Sequence, residues 1–147
     1  MSDIFKKLNL KDQKEILVLN APTSFEPELA LLDHIAIRRS IDGLQHIVFS
    51  LAFVTKQVEV NHLAPAIVQQ AQGDAIIWFA YPKTSSKKYT CEFNRDTGWA
   101  VLGELGLEGV RQVAIDEDWS ALRFRRVEFI RTMTRAKQRR LTEQNQD

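Results

Sequence analysis

Lys83-Thr84-Ser85-Ser86-Lys87-Lys88 is the densest run of ligand-capable side chains in the chain, and Asn94, Asp96 and Thr97 follow soon after it. Ammonium groups and hydroxyls beside the free amides of a helix start are what a phosphate or carboxylate needs. The expected site is therefore an anion pocket made by Lys83, Ser85, Ser86, Lys87, Lys88, Asn94 and Thr97, with a helix opening near Arg95. The competing reading is a solvated surface loop, its lysines serving solubility while Asn94 and Asp96 cap the helix. An anionic Asp96 at that end would also repel the anion.

Other reactive side chains stand more alone. Cys91 follows three lysines, and positive neighbours lower a thiol pKa. A cysteine nucleophile also wants a histidine within reach, and His34, His46 and His62 are all distant in sequence. A small apolar core residue is the alternative for Cys91. Asp116-Glu117-Asp118 is the one acidic cluster, suited to Mg²⁺ with a phosphate or to a solvated hairpin turn. CxxC, HExxH, EF-hand, Walker, dinucleotide-fingerprint and GxSxG spacings are absent from the sequence, so no metal and no cofactor is expected.

Size and charge narrow the partners. With 147 residues, 44% hydrophobic and 27% charged, the chain is a single domain long enough for a real core. A net charge of +1 speaks against a whole-protein nucleic-acid or membrane binder. The stretch from Arg123 onward is locally basic, eight arginines and lysines against three acids. No aromatic lies beyond Phe129 to stack bases, so a solvated helix or one docking an acidic partner is expected there. One cysteine permits no intrachain disulfide, and MSDIFKKLNLKDQKE lacks a signal peptide's apolar core. No window approaches the roughly 18 apolar residues of a membrane span, and a cytoplasmic location is expected. Oligomeric state is left open.

These residues need elements to position them. Ala75 to Ala80 is an unbroken apolar run ending at Tyr81-Pro82, which reads as a central strand covered on both faces. Ile76 and Trp78 should face one side, Ile77 and Phe79 the other. Before it come a short amphipathic turn (Ile4, Phe5, Leu8), a strand at Ile16 to Leu19 and a helix capped by Ser24 running to about Leu32. His34 to Arg39 alternates as a strand, and His46 to Val54 is a longer apolar run. Asp42-Gly43 between them allows a tight hairpin, but the double burial implied at Ile47 to Val54 favours a parallel arrangement. Thr55 to Gln72 has helical spacing, bent at Pro65 and stopped at Gly73. A helix from Arg95 to Gly106 or Gly109, a hairpin of Val110 to Ile115 with Leu122 to Val127, and a helical, fraying tail complete the chain. The fold class is α/β: one three-layer Rossmann-like domain over residues 1–135, its sheet mainly parallel with a C-terminal antiparallel hairpin, followed by a basic tail over 136–147.

The phrases WFAYPK (Trp78 to Lys83), KKYTCEFNRDTGW (Lys87 to Trp99) and IDEDWSALRFRR (Ile115 to Arg126) resemble a bacterial group of short α/β proteins labelled only as a domain of unknown function. The likeness extends from LVLNAP (Leu17 to Pro22) onward. It implies a bacterial, intracellular protein with a small Rossmann-like fold, and attaches no activity. More loosely, the helix–Gly73-Asp74–strand passage and late hairpin are similar to the second half of the sheet in nucleotide-methyltransferase-like folds. Their glycine-rich loop after the first strand is replaced by Asn20-Ala21-Pro22-Thr23-Ser24. The expected function is a non-catalytic module binding an anionic small molecule or an acidic protein surface through the loop after the central strand. The alternative is a small transferase or hydrolase acting on a phosphorylated or nucleotide substrate, with Asp96 or Cys91 reactive.

Overall fold

The computed structural model describes residues 3–133, so expectations about the end of the chain lie outside it. Six strands form one sheet in the order β2-β1-β3-β4-β6-β5. They are β1 (Glu15–Leu19), β2 (Ala36–Arg38), β3 (Ile47–Phe53), β4 (Ala71–Pro82), β5 (Leu107–Ala114) and β6 (Trp119–Arg126). β1 pairs in parallel with both β2 and β3, and β3 with β4; β6 runs antiparallel to β4 and β5. The two strands flanking Asp42-Gly43 therefore never meet as a hairpin. They lie on opposite sides of β1, the parallel arrangement that double burial of β3 requires.

β4 is the spine. Ile77, Phe79 and Tyr81 face one layer, with Val60, Ala64, Ile67 and Val68 of α3 (Gln57–Gln70) and Leu102 of α4 (Ala100–Glu104). Ile76, Trp78 and Ala80 face the other, with Ile4 and Phe5 of α1 (Asp3–Lys7) and Leu29 of α2 (Glu26–Ala30). This is the alternation expected of a strand covered on both faces. Trp78 is fully buried, and its indole N–H donates to the carbonyl of Leu8 at 2.8 Å, which fixes the N-terminal segment to the middle of the sheet. A last helix, α5 (Val127–Met133), follows directly on β6. No helix among the described residues is long and apolar enough to cross a membrane.

Three local expectations change. Ser24 caps nothing: Thr23–Phe25 form a 3-10 turn that leads into the five-residue α2. Burial of both Phe25 and Leu29 on the sheet sets that path, with Pro27 tolerated in the first turn. Gly73 is not the stop of α3, because the chain turns straight into β4 at Ala71. Gly73 lies instead in a bulge, where Ile47 pairs with Ala71 but Phe49 with Ile76, and adopts φ +56°. The open end of α3 is closed from another strand. Arg126 of β6 donates to the carbonyls of Val68 and Ala71, both at 3.1 Å, and to that of Gly73. Finally, α4 begins at Ala100 rather than near Arg95, and is five residues long.

Candidate functional site

In an open parallel sheet, ligands settle outside the carboxyl ends of the strands where successive connections leave in opposite directions. Here the chain leaves β1 toward β2 on one side, then crosses back to β3 on the other, so that point lies between β1 and β3. A crevice of about 500 Å³ opens there. Its wall from β1 is Asn20-Ala21-Pro22-Thr23-Ser24, and β3 supplies Phe53 and Thr55. Glu59 comes from α3, Lys88 and Tyr89 from the loop after β4, and Trp119 from the start of β6, which is antiparallel and so begins at this edge.

Glu59 is held by one oxygen and open at the other. Its Oε1 accepts the amides of Thr55 at 2.8 Å and Lys56 at 3.0 Å, the reach-back bond of a capping box. The helix's positive end favours the carboxylate in this position. Oε2 has no hydrogen bond among the described residues. The floor is aromatic: Tyr89 lies 4.9 Å from Trp119, and Trp119 meets Phe53 edge-on at 5.1 Å. Trp119 is 3% exposed, and its indole N–H has no partner among the described residues. Lys88 is exposed at the rim, its Nζ 5.6 Å from the centre of the Tyr89 ring.

The loop after β4 is pinned from the far hairpin. Ser86 Oγ donates to Asp118 Oδ1 at 2.8 Å and accepts the amides of Lys88 and Tyr89, while Lys83 N–H donates to the Asp118 carbonyl. Asp116 Oδ1 accepts the amides of Asp118 and Trp119. The acidic cluster is thus a turn that latches this loop and delivers Tyr89 to the crevice. No group of three or more metal-ligating side chains occurs among the described residues.

The residues expected to clasp an anion are divided. Ser85, Lys87 and Lys88 line one hollow of about 640 Å³, which they share with Glu117 and Asp118. Lys83 and Asn94 line a second of about 420 Å³, with Arg95 and Asp96, and Ser85 borders both. Ser86 is turned to Asp118, and Thr97 to Asn94. The helix amides expected beside them are absent, because Asn94 Oδ1 takes the amides of Asp96 and Thr97 in a local turn and the helix starts later. Cys91 is half-buried, and burial pushes its thiol up, with Glu92 and Glu59 adding to the shift. Cys91 packs against the core cluster as a small apolar residue, the reading set against a lysine-activated thiol. His34, His46 and His62 stay on separate segments.

Sequence reasoning passed over Glu59, Tyr89 and Trp119. Glu59 carried a usable signal, an acid three residues after a helix N-cap. The two aromatics carried none, since they meet only through the fold.

No family model and no curated protein matches the chain. Among solved structures it is similar to a SAM-dependent methyltransferase from Aquifex aeolicus, with TM-score 0.58 and 10% identity over 82% of this chain and 86% of that one. It is also similar to the N-methyltransferase NodS from Bradyrhizobium japonicum, with TM-score 0.53 and 12% identity over 82% and 91%. Magnesium protoporphyrin IX methyltransferase from Synechocystis gives TM-score 0.53 and 8% identity over 84% and 74%. These likenesses show the fold, a mostly parallel Rossmann-like sheet with an antiparallel C-terminal hairpin. They overturn the expectation of a non-catalytic module binding an anion or acidic surface through the loop after β4: these fold neighbours are, by name, methyltransferases.

Proposed function

We propose that the chain is a small-molecule enzyme of the methyltransferase fold, with its substrate in the crevice between β1 and β3 and Glu59 as the group that meets it. The enzymatic part of this reading is supported by the fold neighbours. The observation that carries the rest is Glu59, clamped through Oε1 by the Thr55 and Lys56 amides while Oε2 stays unpaired beside an aromatic floor. A carboxylate oxygen sharing a crevice with aromatic rings suits a small amine or N–H heterocycle: the N–H pairs with the carboxylate, and any positive charge is attracted to the rings. During turnover the same oxygen is placed to accept a proton from that nitrogen.

Methyl transfer is the activity the neighbours' names bring forward, and for the Aquifex aeolicus and Synechocystis proteins those names include SAM, an adenosyl compound. The residues here do not fit that donor. The turn after β1 holds a proline and no glycine, and β2 ends in Arg38, followed by Arg39, where a ribose diol wants a carboxylate, the next acid, Asp42, coming only past the strand's end. No step is therefore derived through it.

The experiment is calorimetry of the full chain against small amines, quaternary ammonium ions and N-heterocycles, with carboxylates and phosphates as counter-probes. Binding should concentrate in the nitrogen-bearing probes and be lost in Glu59→Gln, whose amide oxygen can still accept the helix-start N–H bonds. Hits confined to anions, or unaffected by Glu59→Gln, would sink the reading.

A further inference from the structure

We infer that this chain has lost the adenosyl-donor site of its fold through the chemistry of the residues there, so that the crevice takes one small guest rather than a donor and an acceptor. The inference rests on the reading of that crevice given above, and two bridges across its β1 side support it.

The first bridge spans β1 and β3. Asn20 follows directly on β1 with φ +59°, and its side-chain Nδ2 reaches the carbonyl of Phe53, at the end of β3, in a long hydrogen bond of 3.5 Å. A donor's chain passes close to the backbone at this turn only where Cβ atoms are missing. Residues 20–24 are Asn-Ala-Pro-Thr-Ser, so every position carries a Cβ, and Pro22 has no N–H to offer. The 3-10 turn and five-residue α2 that follow are too short to present a helix N-terminus in its place.

The second bridge spans the start of α2 and the end of β2. Arg39 donates through Nη1 and Nη2 to both oxygens of Glu26, each at 2.8 Å, in a bidentate pair. Arg38 beside it is bonded to Glu15 at 2.7 Å. A ribose diol at the end of the second strand is read by a carboxylate acceptor. An arginine offers donors only, the nearby carboxylate of Glu26 has both oxygens committed, and the next acid, Asp42, stands four residues past the end of β2 in the turn with Gly43. The positions that should receive methionine and ribose thus carry side chains of the wrong chemistry, a proline-bearing turn and a donor-only arginine. The crevice runs from this turn to Glu59, Tyr89 and Trp119.

The test is equilibrium binding to the folded wild-type chain, its integrity shown by a cooperative melt. S-adenosylmethionine, S-adenosylhomocysteine and adenosine are titrated to 1 mM by calorimetry, with tryptophan fluorescence as a second readout, and choline is run in parallel. The expected result is no saturable signal from any adenosyl compound. Saturable binding of any of them, with or without dependence on Glu59, overturns the inference. The outcomes separate from those of the functional reading: if choline and the amine panel fail along with the adenosyl compounds, that reading falls while the loss of the donor site stands. If an adenosyl compound binds and Glu59→Gln abolishes it, the inferred loss falls and Glu59 keeps its role.

Discussion

Arg126→Met should cost the domain about 2 kcal/mol while leaving its core intact. The guanidinium supplies three hydrogen bonds to carbonyls at the end of α3 and the start of β4, those of Val68, Ala71 and Gly73. Bonds from a charged donor are worth roughly 1.5–3 kcal/mol each when sheltered. Two of these are part-buried and the third is exposed, so the sum is cut well below that ceiling. A cation at a helix C-terminus adds about 0.3–1 kcal/mol. Methionine keeps the apolar stem that packs on the sheet and removes only the fork. Urea denaturation should show an unchanged slope and a lowered midpoint. At roughly 2–4 °C per kcal/mol for a domain approaching this size, Tm should fall about 4–8 °C. Arg126→Lys keeps the charge without the fork and should recover about half. A loss under about 0.5 kcal/mol for Arg126→Met would mean that water satisfies those carbonyls equally well, and that the helix end is not closed from β6.

Phe79→Ala should cost about 3–5 kcal/mol by chemical denaturation, because the ring is fully buried between Trp99 and Phe124; a loss below about 1 kcal/mol would refute its central place. Val58→Ala, on an exposed position of α3, is the control and should stay within about 0.5 kcal/mol. Cys91 should be alkylated by iodoacetamide more slowly than free cysteine at pH 8, with its rate still climbing above the ordinary thiol range, since burial holds the proton on. The linked effect on stability has a definite sign: a thiol pKa raised in the folded state means stability falls as pH rises past the unfolded thiol's pKa. Ser86→Ala should free the loop after β4, raising amide exchange at Lys88 and Tyr89; unchanged exchange there would show that the Asp118 contact does not hold it.

The sheet was legible because its central strands are apolar without alternation. The runs at Ile16, Ile47 and Ala75 each demand cover on two faces, and that demand alone selects parallel pairing over an Asp42-Gly43 hairpin. What misled was local polar chemistry with two outlets. Asn94 has the preferences of a helix cap, yet it spends its oxygen on the next turn's amides and the helix starts later. Gly73 has the φ freedom of a helix stop and uses it in a bulge. The lysine-rich loop looked like a site since its residues are adjacent in sequence. The crevice escaped notice because five separate segments build it, and the latch that shapes it joins Ser86 to Asp118 across 32 positions. Glu59 alone had a local signature.

The bond from Trp78 to Leu8 joins residues 70 positions apart, and it sets the order in which this chain can become a folded protein. Until β4 has been synthesised, β3 lacks its partner on one side, and α1 has no indole to dock against. β3, paired only with β1, carries Phe49, Leu51 and Phe53 on an open sheet edge for that interval. Contacts so remote in sequence close slowly, and a waiting apolar edge invites pairing with another chain. A nascent fragment ending near residue 70 should therefore be a substrate for chaperones and a nucleus for aggregation. The complete chain gains protection only when β4 enters and β6 closes on its other side.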